Sequence, residues 1–317
     1  MKTPIINESQ ALENIKRQLN PFHDQYYAFY SSWFGGIIKN PHFMLIPIDD
    51  HMVHRGDGVF EAMKSVDRKV YLMEEHLQRL FTSAEKISMT PSINMNEMKN
   101  IILDTLRCAN QNDTIIRLYL SRGPGGFTVN PYDSIRPQLY IVVTALKSTS
   151  PEKYQQGATV GKSQLMAKPS WLAQVKSCNY LPNVLMKKEA VDRGLDYVVG
   201  TDKQGHITES ATENIMIVDN NGVIVHPPFL NILKGTTMLR ACELARENNF
   251  KTDIRPITLQ DIETSKEVMI AGTTQNIVPV VQFESFKIGN GTPGPIATKL
   301  HELMLKDIKF GKKNVLY

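Results

Sequence analysis

Leu77, Leu80, Phe81, Ala84 and Ile87 recur at helical spacing after Glu74, and Met95, Met98, Ile102 and Leu106 repeat the pattern. Two amphipathic helices in tandem must bury their apolar stripes against a neighbouring layer. Their flanks are strand-like. Residues 26–48 mix aromatic and aliphatic side chains around Gly35-Gly36 and Asn40-Pro41, which reads as two strands joined by turns. Arg117–Ser121 and Gln138–Leu146 read as strands separated by a Gly/Pro-rich loop, Gly123–Pro131. Short strands interrupted by helix pairs point to a mixed α+β fold rather than a regular βαβ alternation.

Residues 147–157 are polar, lack periodicity and contain Pro151, which makes them the best candidate domain boundary. A length of 317 residues suits two domains of ~150 residues. The expected division is an N-terminal α/β domain over 1–148, a linker over 149–157 and a C-terminal domain over 158–317. Residues 1–25 form an extension in which Leu12, Ile15 and Leu19 predict an amphipathic helix over 9–20. Beyond the linker, helices are expected near 181–193, 237–248 and 295–308, and strands near 195–200, 214–218 and 267–271. Asn220-Asn221-Gly222 signals a hairpin turn into Val223–His226.

With 36 basic and 32 acidic residues interspersed, the net charge of +4 does not imply nucleic acid and suits a small anionic ligand. No run approaches the ~18 apolar residues of a membrane span, and the first residues lack the apolar core of a secretory signal. Cys108, Cys178 and Cys242 are too few and scattered for a disulfide framework or a CxxC metal site. The eight histidines form no HExxH, so no metal is expected. A soluble cytoplasmic protein is the simplest expectation. Gly289-x-Gly291-x-x-Gly294 matches a dinucleotide fingerprint as a string, but it holds Pro293 and has no βαβ context, so it reads as a surface turn. Ser83-x-x-Lys86 has no companion motif, and both residues read as helix surface.

Five segments carry the chemistry: DHMVHRGDGVFE (50–61), EHLQRL (75–80), KSCNYLPNVL (176–185), ITESATENI (207–215) and LKGTT (233–237), the last echoed by AGTT (271–274). In this order and spacing they resemble the class IV (fold type IV) pyridoxal-phosphate aminotransferases. That family includes branched-chain and D-amino-acid aminotransferases and 4-amino-4-deoxychorismate lyase. The resemblance runs from about residue 26 to the C-terminus. It implies a small N-terminal α/β domain, a larger C-terminal pseudo-barrel, pyridoxal 5′-phosphate between them, and a homodimer. No family segment matches the first ~25 residues.

A pyridoxal enzyme needs one lysine that loses its proton easily, and Lys176 sits among apolar and neutral neighbours in WLAQVKSCNYLPN. By resemblance it is the catalytic Schiff-base lysine. The cofactor ring nitrogen needs a carboxylate; the resemblance assigns it to Glu209, with Glu213 as the competitor. The phosphate needs a cation and hydroxyl or N–H donors. Arg79 matches the family arginine, Thr236 and Thr237 open a helix, and Thr273, Thr274 and Thr212 are further donors. The family arginine after this turn is Met238 here. Tyr180 is expected to reach the cofactor's phenolic oxygen. Phe60, Arg117 and Arg122 are the expected substrate contacts, the arginines for its carboxylate, with structural ion pairing as the alternative for either.

Both family reactions begin with proton removal from the substrate Cα, so the catalytic residues do not separate them. The loop Ser121–Phe127 resembles the lyase loop but has Phe127 in place of a further arginine. Residues 126–131 echo the branched-chain loop, although Ile115 stands where those enzymes carry tyrosine. DDHMVHRG (49–56) and NYLPNVL (179–185) look closest to the plant-type D-amino-acid aminotransferase/lyase group. The favoured reading is transfer of an amino group between a branched-chain or D-amino acid and a 2-oxo acid. The alternative is a lyase releasing pyruvate and 4-aminobenzoate.

Overall fold

The computed structural model describes residues 2–147 and 149–317. The expected domain end at 148 lies outside the described residues. An Asn7–Gln10 capping box starts α1 (Glu8–Arg17), the helix expected in the N-terminal extension. The first half continues with β1 (Tyr26–Ser31), β2 (Gly36–Ile38), α2 (His51–Arg55), β3 (Gly58–Val66) and β4 (Lys69–Tyr71). It then forms α3 (Met73–Lys86), α4 (Met95–Ala109), β5 (Thr114–Ser121) and β6 (Gln138–Ala145).

The second half opens with α5 (Pro151–Gln156), β7 (Ala158–Met166), α6 (Ser170–Ala173) and α7 (Leu181–Asp192). Next come β8 (Tyr197–Thr201), β9 (Ile207–Ser210), β10 (Asn214–Val218), β11 (Ile224–His226), α8 (Thr236–Glu247) and β12 (Thr252–Ile254). The chain ends with α9 (Leu259–Thr264), β13 (Glu267–Gly272), β14 (Asn276–Phe283), β15 (Phe286–Lys287), α10 (Pro295–Phe310) and β16 (Asn314–Leu316).

The first sheet is antiparallel, in the order β16-β4-β3-β5-β6-β1-β2. Strand alternation sorts β3 and β5 into two faces. Val59, Met63, Ile116, Leu118 and Leu120 pack under α3 and α4 against Leu77, Leu80, Met98, Ile102 and Leu106. Leu77 and Leu80 are fully buried, and truncating either to alanine costs about 2–5 kcal/mol in such a core. Phe60, Ala62 and Lys64, with Ile115, Arg117 and Tyr119, take the opposite face. From that face Lys64 reaches Asn276 of β14 in the second sheet.

In the second sheet, β10, β13, β14, β7, β8 and β9 pair in turn, and the contact Asn214↔Glu209 closes β9 onto β10. This six-stranded barrel is the expected pseudo-barrel. All six strands send aliphatic side chains into one cluster, among them Val160, Val199, Ile207, Ile215, Ile270 and Val278. The alternate residues, such as Met216, Met269 and Ile277, pack outward under α8 and α10.

The structure corrects several expectations. The expected linker contains a helix, α5, begun by Pro151 in its first turn. The terminal strand β16 returns to the first sheet, so residues 158–317 do not all build the second. Residues 41–43 form a 3-10 turn and 44–48 no strand, in a stretch where Pro41 and Pro47 lack amide donors. Strands β3, β7 and β14 lie outside the strands expected from the sequence. β3 is largely buried on both faces, which erases alternation, and β14 contains Pro279. The Gly289–Gly294 string lies between β15 and α10, with Gly289 and Gly291 at positive φ, as a turn requires. All three cysteines are free.

Candidate active site

Lys176 lies between α6 and α7 on a segment stapled to β3. The Phe60 N–H donates to the Lys176 carbonyl at 2.9 Å and the Cys178 N–H to the Gly58 carbonyl at 2.8 Å. The Lys176 N–H donates to Ser83 Oγ at 3.3 Å. Ser83 is therefore buried beneath the lysine rather than on a helix surface. Lys176 itself is 9% exposed. Its Nζ stands 4.5 Å from the Phe60 ring centroid and 5.7 Å from that of Tyr180, and the two rings meet edge to face. Burial, then the Arg79 guanidinium, brings its ammonium down to about 8. About a tenth of the amine is then free at pH 7, against less than about a thousandth for an ordinary lysine.

The cavity that Lys176 faces has a volume of about 250 Å³. On its wall, Glu209 Oε2 accepts from the Leu233 N–H at 2.9 Å and from Asn214 Nδ2 at 3.5 Å. Oε1 makes no hydrogen bond among the described residues. Burial raises this carboxyl to about 7, opposed by the Leu233 N–H and by Lys168, Lys176 and Arg79. A carboxylate so placed gains from a cationic N–H presented to it in the cavity. Glu213, the competitor, is occupied elsewhere: it accepts from the Thr212 N–H at 3.0 Å, from the Thr212 hydroxyl, and from Gln275 Nε2 at 3.0 Å.

Another part of the lining is built for an anion. Gly235 is the N-cap of α8, so the amides around Thr236 and Thr237 point from a helix N-terminus. A Cβ on Gly235 would lie 1.8 Å from Asn214 Oδ1, which is why glycine stands there. Arg79 Nε and Nη2 donate to Glu61 Oε1 and Oε2 at 2.6 and 2.8 Å, and Nη1 donates to the Lys234 carbonyl at 2.9 Å. His76 Nδ1 bonds the same carboxylate at 2.7 Å, so its Nε2 accepts from the Thr236 hydroxyl at 3.2 Å. Glu61 is fully buried. Burial alone would raise its pKa, but Arg79 and His76 outweigh that and hold it far below the usual carboxylate range. Thr212, Thr273 and Thr274 complete the lining. Met238, in the family arginine's place, is core.

Phe60 and Arg117 line the same cavity. Arg117 Nη1 donates to Thr144 Oγ1 at 2.9 Å. Arg117 and Thr274 also border an adjoining chamber of about 730 Å³ whose walls include His23, Tyr26, Tyr119 and Lys147. Arg122 is not brought to the cavity. It chelates Asp57 at 2.6 and 3.0 Å and bonds the Ile87 and Ser88 carbonyls at 2.8 and 3.1 Å, so the structural alternative holds for it. The loop after it packs back on the chain through Gly125 N–H to the Asp49 carbonyl and Arg55 to the Phe127 carbonyl.

Residues 58–283 match the family model for amino-transferase class IV. The chain is 34% identical over 98% of its length to a chloroplastic D-amino-acid transaminase of Arabidopsis thaliana, covering 84% of that protein. The chain belongs to the class IV aminotransferases. A putative branched-chain-amino-acid aminotransferase of Methanocaldococcus jannaschii is also 34% identical, over 83% of this chain and 91% of that one. Among solved structures, a T.th. branched-chain amino acid aminotransferase with pyridoxamine 5′-phosphate shares the fold. Its TM-score is 0.87 at 22% identity, over 92% of this chain and 99% of that one.

In this class IV aminotransferase Glu61, His76 and Lys168 join the site beyond the residues expected from the sequence. The first two had a signal. His76 and Arg79 are three apart on α3 and share a face, and Glu61 falls on the α3 side of β3. Lys168 had none: it reaches the cavity from the loop after β7, 4.8 Å from the Tyr180 ring centroid.

Proposed function

We propose that this class IV aminotransferase holds pyridoxal 5′-phosphate in the cavity and moves an amino group between a branched-chain or D-amino acid and a 2-oxo acid. The observation that carries the reading is a buried, readily deprotonated Lys176 amine sharing one cavity with Glu209 and with the Arg79–Thr236 anion cradle. The lining also carries Arg79, Arg117, Lys168 and Lys176 against Glu209 and Glu213. Arg79 is paired with Glu61, so the positive charge left for an anion comes from Arg117, Lys168 and the α8 N-terminus.

When bound, the cofactor supplies an aldehyde that condenses with amines and a ring that takes up the electron pair left at the substrate Cα. The chain's residues do the rest. Lys176 Nζ is placed to take the Cα proton, and its lowered affinity for protons makes the free amine available near neutrality. Glu209 offers an unbonded carboxylate oxygen to the ring nitrogen and keeps a proton there. The α8 N-terminus, Thr237, Thr273 and Thr274 offer donors to the phosphate, with Arg79 held beside them by Glu61. Tyr180 and Phe60 pack over the amine and exclude water. Arg117 is free to meet a substrate carboxylate from the chamber side. The two transaminase relatives support transfer over the lyase alternative.

Trp171, Leu181 and Val184 are exposed on the two helices flanking Lys176, which supports the expected homodimer. Among the described residues no helix is long and apolar enough to cross a membrane. A cytoplasmic location remains part of this proposal.

Glu209→Gln tests the reading. It keeps the shape and removes the negative charge, so turnover should fall about 10²–10³-fold while pyridoxal phosphate content stays near stoichiometric. Unchanged turnover would contradict the assigned role.

A further inference from the structure

Lys64 lies outside the cavity lining but on the same face of β3 as Phe60 and Ala62. It is 4% exposed, an unusual place for a lysine that faces no ligand. Its Nζ donates to Asn276 Oδ1, and the Tyr71 ring centroid lies 5.9 Å away. Burial brings the ammonium down to about 7. An uncharged amine still donates to a carbonyl, so the contact does not depend on the charge.

Asn276 is the first residue of β14 and pairs with Gly272, the last of β13. Between them run Thr273, Thr274 and Gln275, the turn that brings two threonines into the cavity. Asn276 sits at φ +57°, a left-handed conformation that asparagine tolerates at some cost. Other contacts fix the turn from the second sheet's side. Tyr154 donates to the Gln275 carbonyl at 2.8 Å, and the Gln275 side chain links Thr274 to Glu213, itself bonded to Thr212. All of those partners belong to the second half of the chain. Lys64 comes from the first sheet.

We propose that Lys64 is a positioning residue: it reaches across from β3 to Asn276 and holds the Thr273–Thr274 turn in register with the Arg79 and α8 donors, so that the two halves close on one phosphate. The proposal rests on the cofactor reading above. Removing the strut leaves both sheets intact and loosens one wall of the anion cradle, which shows first in how the phosphate is held.

The test titrates apoprotein with pyridoxal 5′-phosphate, following protein fluorescence and the ³¹P resonance of the bound phosphate. It compares the wild type with Lys64→Met, which keeps the apolar stem without the donor, and Lys64→Gln, which keeps a donor. Lys64→Met should weaken cofactor affinity about tenfold or more and move or broaden the ³¹P resonance, and Lys64→Gln should recover part of both. If Lys64→Met loses its cooperative thermal transition, Asn276→Gly takes its place, keeping the backbone conformation and removing the acceptor, with the same expected result. Affinity within twofold of wild type with an unmoved ³¹P resonance would overturn the strut alone. Wild-type protein that takes up no pyridoxal phosphate would remove the cofactor reading and the strut with it.

Discussion

Lys176→Ala should abolish amino-group transfer while leaving the protein folded. On the proposed reading one lysine both bonds the cofactor and carries the Cα proton, so its removal should lower turnover by at least about four orders of magnitude. The fold should survive because the segment is held by its backbone. Its bonds to Phe60, Gly58 and Ser83 run through the Lys176 carbonyl, the Cys178 N–H and the Lys176 N–H, and none uses Nζ. Removing a buried amine whose proton affinity is already lowered also relieves desolvation rather than breaking an ion pair. Steady-state rates with a panel of L- and D-amino acids, beside a thermal melt, check both halves. Residual activity near wild type would remove the catalytic assignment.

Glu61→Ala should be the most destabilising change at the site. Glu61 is buried with both oxygens committed, to Arg79 twice and to His76 once. Removing the carboxylate leaves a guanidinium and a buried imidazole without their partner, which costs about 3–5 kcal/mol. The loss should carry into function, because the same carboxylate fixes Arg79 beside Lys234 and orients His76 toward Thr236. Glu61→Gln should fall between, since its single carbonyl oxygen still accepts one of these bonds. Denaturant unfolding of the apoprotein reads the first effect. A loss below about 1 kcal/mol would show that the network is not what holds α3 to β3 here.

The helices were legible because α3 and α4 bury one stripe each against a sheet, and a 3.6-residue period survives in the sequence. Strands β3 and β14 were not. β3 places Glu61 and Lys64 in buried positions, so its polar residues fall where the pattern calls for apolar ones. β14 breaks its own pattern with Pro279. The cavity residues were legible through the resemblance rather than through periodicity: Lys176, Glu209, Arg79 and the paired threonines converge from β9, α3, α8, the loop before α7 and the turn after β13. Arg122 misled because an arginine in a glycine-rich loop looks available. Asp57 lies 65 positions away and captures it only in three dimensions. Lys64 had no local signal, since its partner Asn276 lies 212 positions along the chain, and Lys168 had none because it sits in an irregular loop without periodicity.

On the proposed reading one amine, Lys176 Nζ, bonds the cofactor. The most direct measurement is to load the protein with pyridoxal 5′-phosphate, reduce it with borohydride, digest it and locate the modified lysine by mass spectrometry. A single phosphopyridoxyl group on the peptide containing Lys176 is the expected result. Modification of Lys168 in the same cavity, or of no lysine at all, would contradict it.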